Sequence, residues 1–289
     1  MSGDSSNPII VRESPASSSV PRVKPSPKPK LIRVPFEYTP SDDGTDENLL
    51  ILFHGLGDTH IPFARLGKQL KLPQTATLAL RAPDQIPYLY EQAFQWYESF
   101  DPLGEMIKHP NPTSAYNLLH NVFKHLTEDC QWPPDRVHLF GFAQGGSVAT
   151  EFALKWWSAE LEKQRQAQLK PVDGEGGDAS SDYVPRPLGS IVTIAGALLE
   201  YPTLKTPCPT PLLAFHRPSS EQTLLLDKSL RDFKKAFSSV SVVSFPKEEG
   251  MPRSREEWEP IMRFWSEKLS RRQVEGLYEV MSGTTPIPR

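Results

Sequence analysis

The stretch RVHLFGFAQGGSVATEFAL, residues 136–154, passes from an apolar strand pattern through a glycine-framed turn into a helix pattern. A strand–turn–helix of the form G-x-Z-x-G holds residue Z in a strained, presented conformation. With serine at Z, it offers a hydroxyl for attack on a carbonyl. Here Gly141 and Gly145 frame Ala143. Alanine has no hydroxyl, so no acyl-enzyme can form at that position. Other nucleophiles fare poorly. Ser147 stands one helical turn further on, where a serine is expected to pack or face solvent. Cys130 follows TED and precedes a Trp-Pro-Pro loop, with no adjacent cation to lower its pKa, and reads as a buried or idle thiol. His54, Asp58 and His60 do not form a recognised metal spacing, so their expected work is to hold a loop in shape. No metal and no cofactor are expected.

The surroundings of Ala143 resemble the GFSQGG elbow of acyl-protein thioesterases and phospholipase/carboxylesterases, in the α/β-hydrolase superfamily, at every position but the nucleophile. ILFHGLGDT, residues 51–59, is similar to that family's HGLGDT loop, and RAPDQ followed by QWYESFDP to its stretch around a Trp-Tyr or Trp-Phe-Asp element. The likeness spans residues 49–269. It implies that the backbone amides of Leu56 and Gln144 are the oxyanion-hole donors. It leaves Trp96 and Tyr97 open between lining an acyl pocket and packing the core.

The same resemblance locates the other two members of a Ser-His-Asp triad, and both differ here. The family's acid sits in HGxxD. This chain has HRPSSEQTL, with Arg217 for the glycine and Ser220 at the aspartate position. Glu221, one residue on, is a substitute acid in principle, or a glutamate opening the next helix. The family's base sits in GMxHS. This chain has GMPRS, with Arg253 at the histidine position, and an arginine stays protonated near neutral pH. The seven histidines end at His216, so none follows the last strand, where the Ser, acid, His order would require it. The expectation is a pseudoenzyme that keeps the fold as a binding or scaffolding module, with an acyl or ester ligand or an unidentified protein as its partner. The alternative is a carboxylic ester or thioester hydrolase that uses a non-standard constellation.

These residues need a scaffold, and the chain's periodicities supply one. LIRVPFEY, LLILFH, ATLALRA, RVHLFGF, SIVTIAGA, PLLAFH and VSVVSF read as strands, several of them apolar on consecutive residues, as in strands buried on both faces. FARLGKQL, SAYNLLHNVFKHL, SVATEFALKWW, LLLDKSLRDFKKAF and REEWEPIMRFWSEKL read as helices. The alternation predicts an α/β-hydrolase fold, a mostly parallel central sheet with helices on both faces. Residues 31–270 form the expected single domain, with a mobile insertion at 171–187 and a C-terminal tail at 271–289. Residues 1–30 are rich in Ser and Pro and are expected to be disordered, so that removing them leaves stability unchanged. The 289 residues carry 32 basic and 35 acidic side chains, a balance that points away from nucleic acid. No leader and no transmembrane segment are read. Two cysteines without a framework suggest a reducing, cytoplasmic setting.

Overall fold

A computed structural model describes residues 11–12, 22–87, 92–169, 183–218, 225–245, 250–272 and 279–280. Seven strands form the main sheet: β1 (Phe36–Thr39), β2 (Asn48–Phe53), β3 (Thr75–Leu80), β4 (Val137–Phe142), β5 (Ser190–Ile194), β6 (Leu212–His216) and β7 (Val240–Ser244). Their order is β7-β6-β5-β4-β2-β3-β1, and only β1 runs antiparallel to its neighbour. Five helices connect them: α1 (His60–Leu70), α2 (Thr113–Glu128), α3 (Gln144–Leu169), α4 (Asp227–Ala236) and α5 (Arg255–Lys268). The mostly parallel sheet with helices on both faces is therefore present.

The period-2 alternation of the central strands assigns the layers. Leu49, Ile51 and Phe53 of β2 share one apolar cluster with Leu119, Val122 and Phe123 of α2 and Val148 and Phe152 of α3. Leu50 and Leu52 turn to the other face, onto Phe63 of α1 and Ile261 and Trp265 of α5. A strand buried on both faces must be apolar at consecutive positions, which accounts for the run LLILF. Helix α3 leaves the molecule's centre for its surface. Every residue from Gln144 to Leu154 is buried, so its first half has no polar face, while its charged second half meets solvent.

Two sequence expectations change. The strand expected over residues 31–38 begins only at Phe36, because the chain first makes a turn in which Leu31 N–H and Ile32 N–H donate to Lys28 O. The expected disorder of residues 1–30 fails for 22–30. Lys24 N–H donates to Asp46 Oδ2 at 2.8 Å, Lys28 N–H to His125 Nε2 at 2.9 Å, and Pro27 is buried. A proline-rich stretch has less conformational entropy to lose, so a few anchored hydrogen bonds hold it as a strap. Val11–Arg12 pairs with Glu279–Val280 in a short antiparallel ribbon. The expected insertion at 171–187 lies largely outside the described residues. None of the described helices is long and apolar enough to cross a membrane.

At the opposite end of the strands from the elbow, buried polar groups tie distant segments. His138 on β4 lies 2.8 Å from Ser190 Oγ and 3.4 Å from Asn48 Oδ1. Asn48 also exchanges two 2.9 Å bonds with the Ser270 backbone. Burial pushes His138 down to about 3 from an ordinary value near 6.5. Below pH 6.5 the unfolded chain therefore binds a proton that the folded chain refuses, and stability falls with pH through that window at up to about 1.4 kcal/mol per unit. Denaturant unfolding of the protein between pH 7 and pH 4.5 should show this decline, and a shallower one in His138→Gln.

Candidate functional site

Ala143 follows β4 and precedes α3 with φ of 47°, the left-handed region that favours glycine. Its N–H donates to Ile194 O at 2.8 Å, and its carbonyl accepts from Ser147 N at 3.0 Å. The turn can be this sharp because side chains are missing around it. A Cβ on Gly141 would lie 2.4 Å from Gly145 C, and one on Gly145 would lie 2.4 Å from Phe53 O. Ala143 is half-buried and reachable from solvent. The backbone of a nucleophile elbow is thus built, with a methyl group where the hydroxyl would stand.

Among the described residues, neither the Leu56 amide nor the Gln144 amide donates to a protein acceptor. The loop that carries Leu56 is braced from behind. His54 is fully buried. Its Nε2 accepts from Ala82 N at 2.9 Å, so its Nδ1 carries the proton and donates to Gly55 O at 2.7 Å. Both ring nitrogens are committed and burial lowers the pKa, so this imidazole is a strut. Asp58 closes the same loop by accepting from Thr59 N at 2.7 Å. Among the described residues, no group of three or more His, Cys, Asp or Glu is placed to hold a metal.

Trp96 contributes no surface to a pocket. It is fully buried, stacks near Phe53 and His54, and donates from Nε1 to His54 O at 2.8 Å. An indole must bury its large face and satisfy its N–H, and the core does both. Tyr97 is also buried, and burial pushes its hydroxyl up to about 12. Gln144 has a role that its amide position alone does not suggest. Its Oε1 accepts from Trp96 N at 3.0 Å, and its Nε2 donates to Tyr97 O at 2.9 Å and Ser99 Oγ at 2.6 Å. One side chain therefore fixes residues 96–99 against the elbow.

The acid positions Ser220 and Glu221 lie outside the described residues. Arg217, which precedes them, is described. It is fully buried and grips Glu257 of α5 with two nitrogens, at 2.7 and 3.0 Å. It also donates to Gly250 O at 3.1 Å and Met251 O at 3.2 Å. Glu257 in turn accepts from Arg253 N at 2.7 Å. The GMPRS segment is thereby held at three backbone points by one ion pair. Arg253 has only its amide in this network. Its side chain is exposed, and among the described residues it has no hydrogen-bond or ion-pair partner. His216, the last histidine, ends β6 with its Nδ1 buried and unpartnered, and burial lowers its pKa. By strand alternation it points to the face opposite Arg217.

Residues 37–159 match the model of the phospholipase/carboxylesterase family. An uncharacterized hydrolase of Mycosarcoma maydis is 32% identical over 257 residues, covering 87% of each chain. Among solved structures, esterase PE8 superposes with a TM-score of 0.63 at 17% identity, over 82% of this chain and 99% of its own. Acyl-protein thioesterase 2 of Zea mays does so at 0.56 and 19%, over 82% and 100%. The chain belongs to the phospholipase/carboxylesterase family and has the α/β-hydrolase fold. The fungal relative, matched along most of its length, bears the description of an uncharacterized hydrolase.

The Arg217 hydrogen bonds hold Glu257 down to about 2. Its ordinary value is near 4.3, so the ion pair's contribution is complete above that pH and is lost as pH falls toward 2. Removing one partner strands the other charge in the interior, so Glu257→Gln should cost about 3–5 kcal/mol at pH 7. The double variant Arg217→Met with Glu257→Leu should recover most of that loss in the same denaturant titration.

Proposed function

We propose that this protein is a non-catalytic member of its family, a hydrolase fold that acts by binding. The observation that carries the reading is Ala143, seated in the strained elbow conformation with no hydroxyl to present. Three further points support it. Arg253 occupies the family's base position and turns its side chain to solvent. No histidine follows β6 in the sequence. The Arg217–Glu257 pair ties down the loop that would have to carry a base. In a serine protease, losing nucleophile or base alone costs about a million-fold in turnover, so either loss suffices.

The unengaged amides of Leu56 and Gln144 remain suited to a carbonyl or carboxylate oxygen, which makes an acyl or ester group the fitting small ligand. A protein partner is the other occupant that a scaffolding role would call for. Family membership favours the rival reading, ester or thioester hydrolysis by another constellation, and the same assay decides between them.

Purified protein should not turn over short or medium acyl nitrophenyl esters above a buffer blank, and a fluorophosphonate probe should not label it. Stoichiometric labelling of any serine would sink the proposal. Ala143→Ser alone should stay inactive, because the new hydroxyl has no group to take its proton. Only the combination Ala143→Ser, Arg253→His and Ser220→Asp rebuilds nucleophile, base and orienting acid. Burst and steady-state kinetics of the single and triple variants check this. Robust turnover by the single variant would reveal a base elsewhere.

A further inference from the structure

On the far side of the domain, under the proline-rich strap, a second set of groups has come together. His125, in the last turn of α2, lies with its Nδ1 2.7 Å from Asp129 Oδ2 and its Nε2 3.7 Å from Cys130 Sγ. Both His125 and Cys130 are buried, while Asp129 reaches solvent. Lys28 N–H donates to His125 Nε2 at 2.9 Å, which makes Nε2 the acceptor nitrogen and Nδ1–H the donor to Asp129. A thiol, an imidazole and an orienting carboxylate are thus in line. The imidazole's only lone pair is already taken by the strap.

The strap is also anchored ahead of that contact. Asp46 Oδ2 accepts from Lys24 N, Asp46 N donates to Arg22 O at 3.0 Å, and Lys24 Nζ donates to Gln131 O at 2.9 Å. In this closed arrangement the thiol is quiet, because burial and the Asp129 charge push its pKa up. Lifting residues 27–28 would free Nε2 to take the thiol proton.

The neighbouring backbone argues for the kind of electrophile. Asp129 N and Cys130 N both donate to His125 O, at 3.0 and 3.1 Å, and Trp132 N donates to Leu126 O at 2.9 Å. Among the described residues the Gln131 amide is the one left here without an acceptor, a single donor where the oxyanion of an acyl transfer takes two. Thiol–disulfide exchange spreads its charge over sulfur and needs none. The His125 hydrogen bond lowers the pKa of Asp129, with Lys28 and Lys124 adding to it, and Lys24 reaches Gln131 O beside Cys130, so three cations stand near and favour an anion.

We propose that Cys130, with His125 as proton acceptor and Asp129 as its orienting carboxylate, is a strap-gated thiol that forms mixed disulfides with anionic low-molecular-weight disulfides. Cys130 gives its proton to His125 Nε2, and the thiolate attacks one sulfur of the disulfide. A new S–S bond forms as the old one breaks, and the departing thiolate takes the proton from the imidazolium. Cys130 is oxidised, and half of the small disulfide is reduced to a thiol.

The test uses full-length protein carrying Cys208→Ser, which leaves Cys130 as the sole thiol. Glutathione disulfide is the probe, and the rate of mixed-disulfide formation is read by intact mass at pH 7.5. Lys28→Pro deletes the amide that occupies Nε2 and should raise the rate by about tenfold or more, as expected when a thiol gains a base. Adding His125→Gln should return the rate to that of the parent. Cystamine, a cationic disulfide, should react more slowly than glutathione disulfide, and an acyl thioester should leave Cys130 unmodified. No acceleration in Lys28→Pro, or an acceleration that survives His125→Gln, overturns the proposal. If Lys28→Pro does not fold, Pro27→Gly loosens the strap with the amide intact and is judged by the same two outcomes. Acylation of Cys130, or faster reaction with cystamine, would overturn the assignment of the electrophile.

Discussion

Gly145 lies against the carbonyl oxygens of Phe53 and His54, and Gly141 against Gly145 itself, so that three segments of main chain meet with no side chain between them. This contact sets the depth to which α3 enters the molecule, and much else follows from that depth. A helix starting at the sheet's centre must be buried all round, which explains the small and apolar residues of its first turns. It also forces Ala143 into a left-handed conformation, at a cost of order 1–3 kcal/mol that the packing around it must offset. The strain therefore persists although the hydroxyl it would serve is absent. The elbow serves here as the joint on which the two faces of the sheet are hung.

Arg217 fills the interior with a guanidinium neutralised by Glu257. Such a pair is not a stability device in itself, since desolvating two charges offsets most of their attraction. Its effect is directional. Five donors in a fixed fork can satisfy a carboxylate and two carbonyls together, so the loop over residues 250–254 has one admissible position.

The fold was legible because both-face burial writes itself into consecutive apolar residues, as in LLILF, and the elbow because its glycines are demanded by backbone contact. Ala143, Arg217 and Arg253 were singled out by the resemblance alone. Their consequences could not be read from it. Arg217 and Glu257 are 40 residues apart, and Lys28 and His125 are 97 apart, so no local spacing announces either contact. Cys130 is buried, as its surroundings in sequence suggested, but its contact with an imidazole five residues back, across a helix end, was not announced by spacing. The strap was mistaken for a tail because its composition lacks large apolar groups. It is held by backbone amides, which composition does not reveal. Trp96 read equally well as pocket or core until its N–H was found on His54 O.

Asn48 sits at the start of a central strand, yet its side-chain amide is satisfied by Ser270, 222 residues later. A buried amide without partners weighs against the core around it. On a ribosome adding roughly 5–20 residues per second, the interval between the two is on the order of 10–40 s. β4 begins 89 residues after Asn48, so for the later part of that time β2 and β4 have both emerged while the polar plug that completes them is unsynthesised. Whatever accompanies the nascent chain then meets an unfinished sheet.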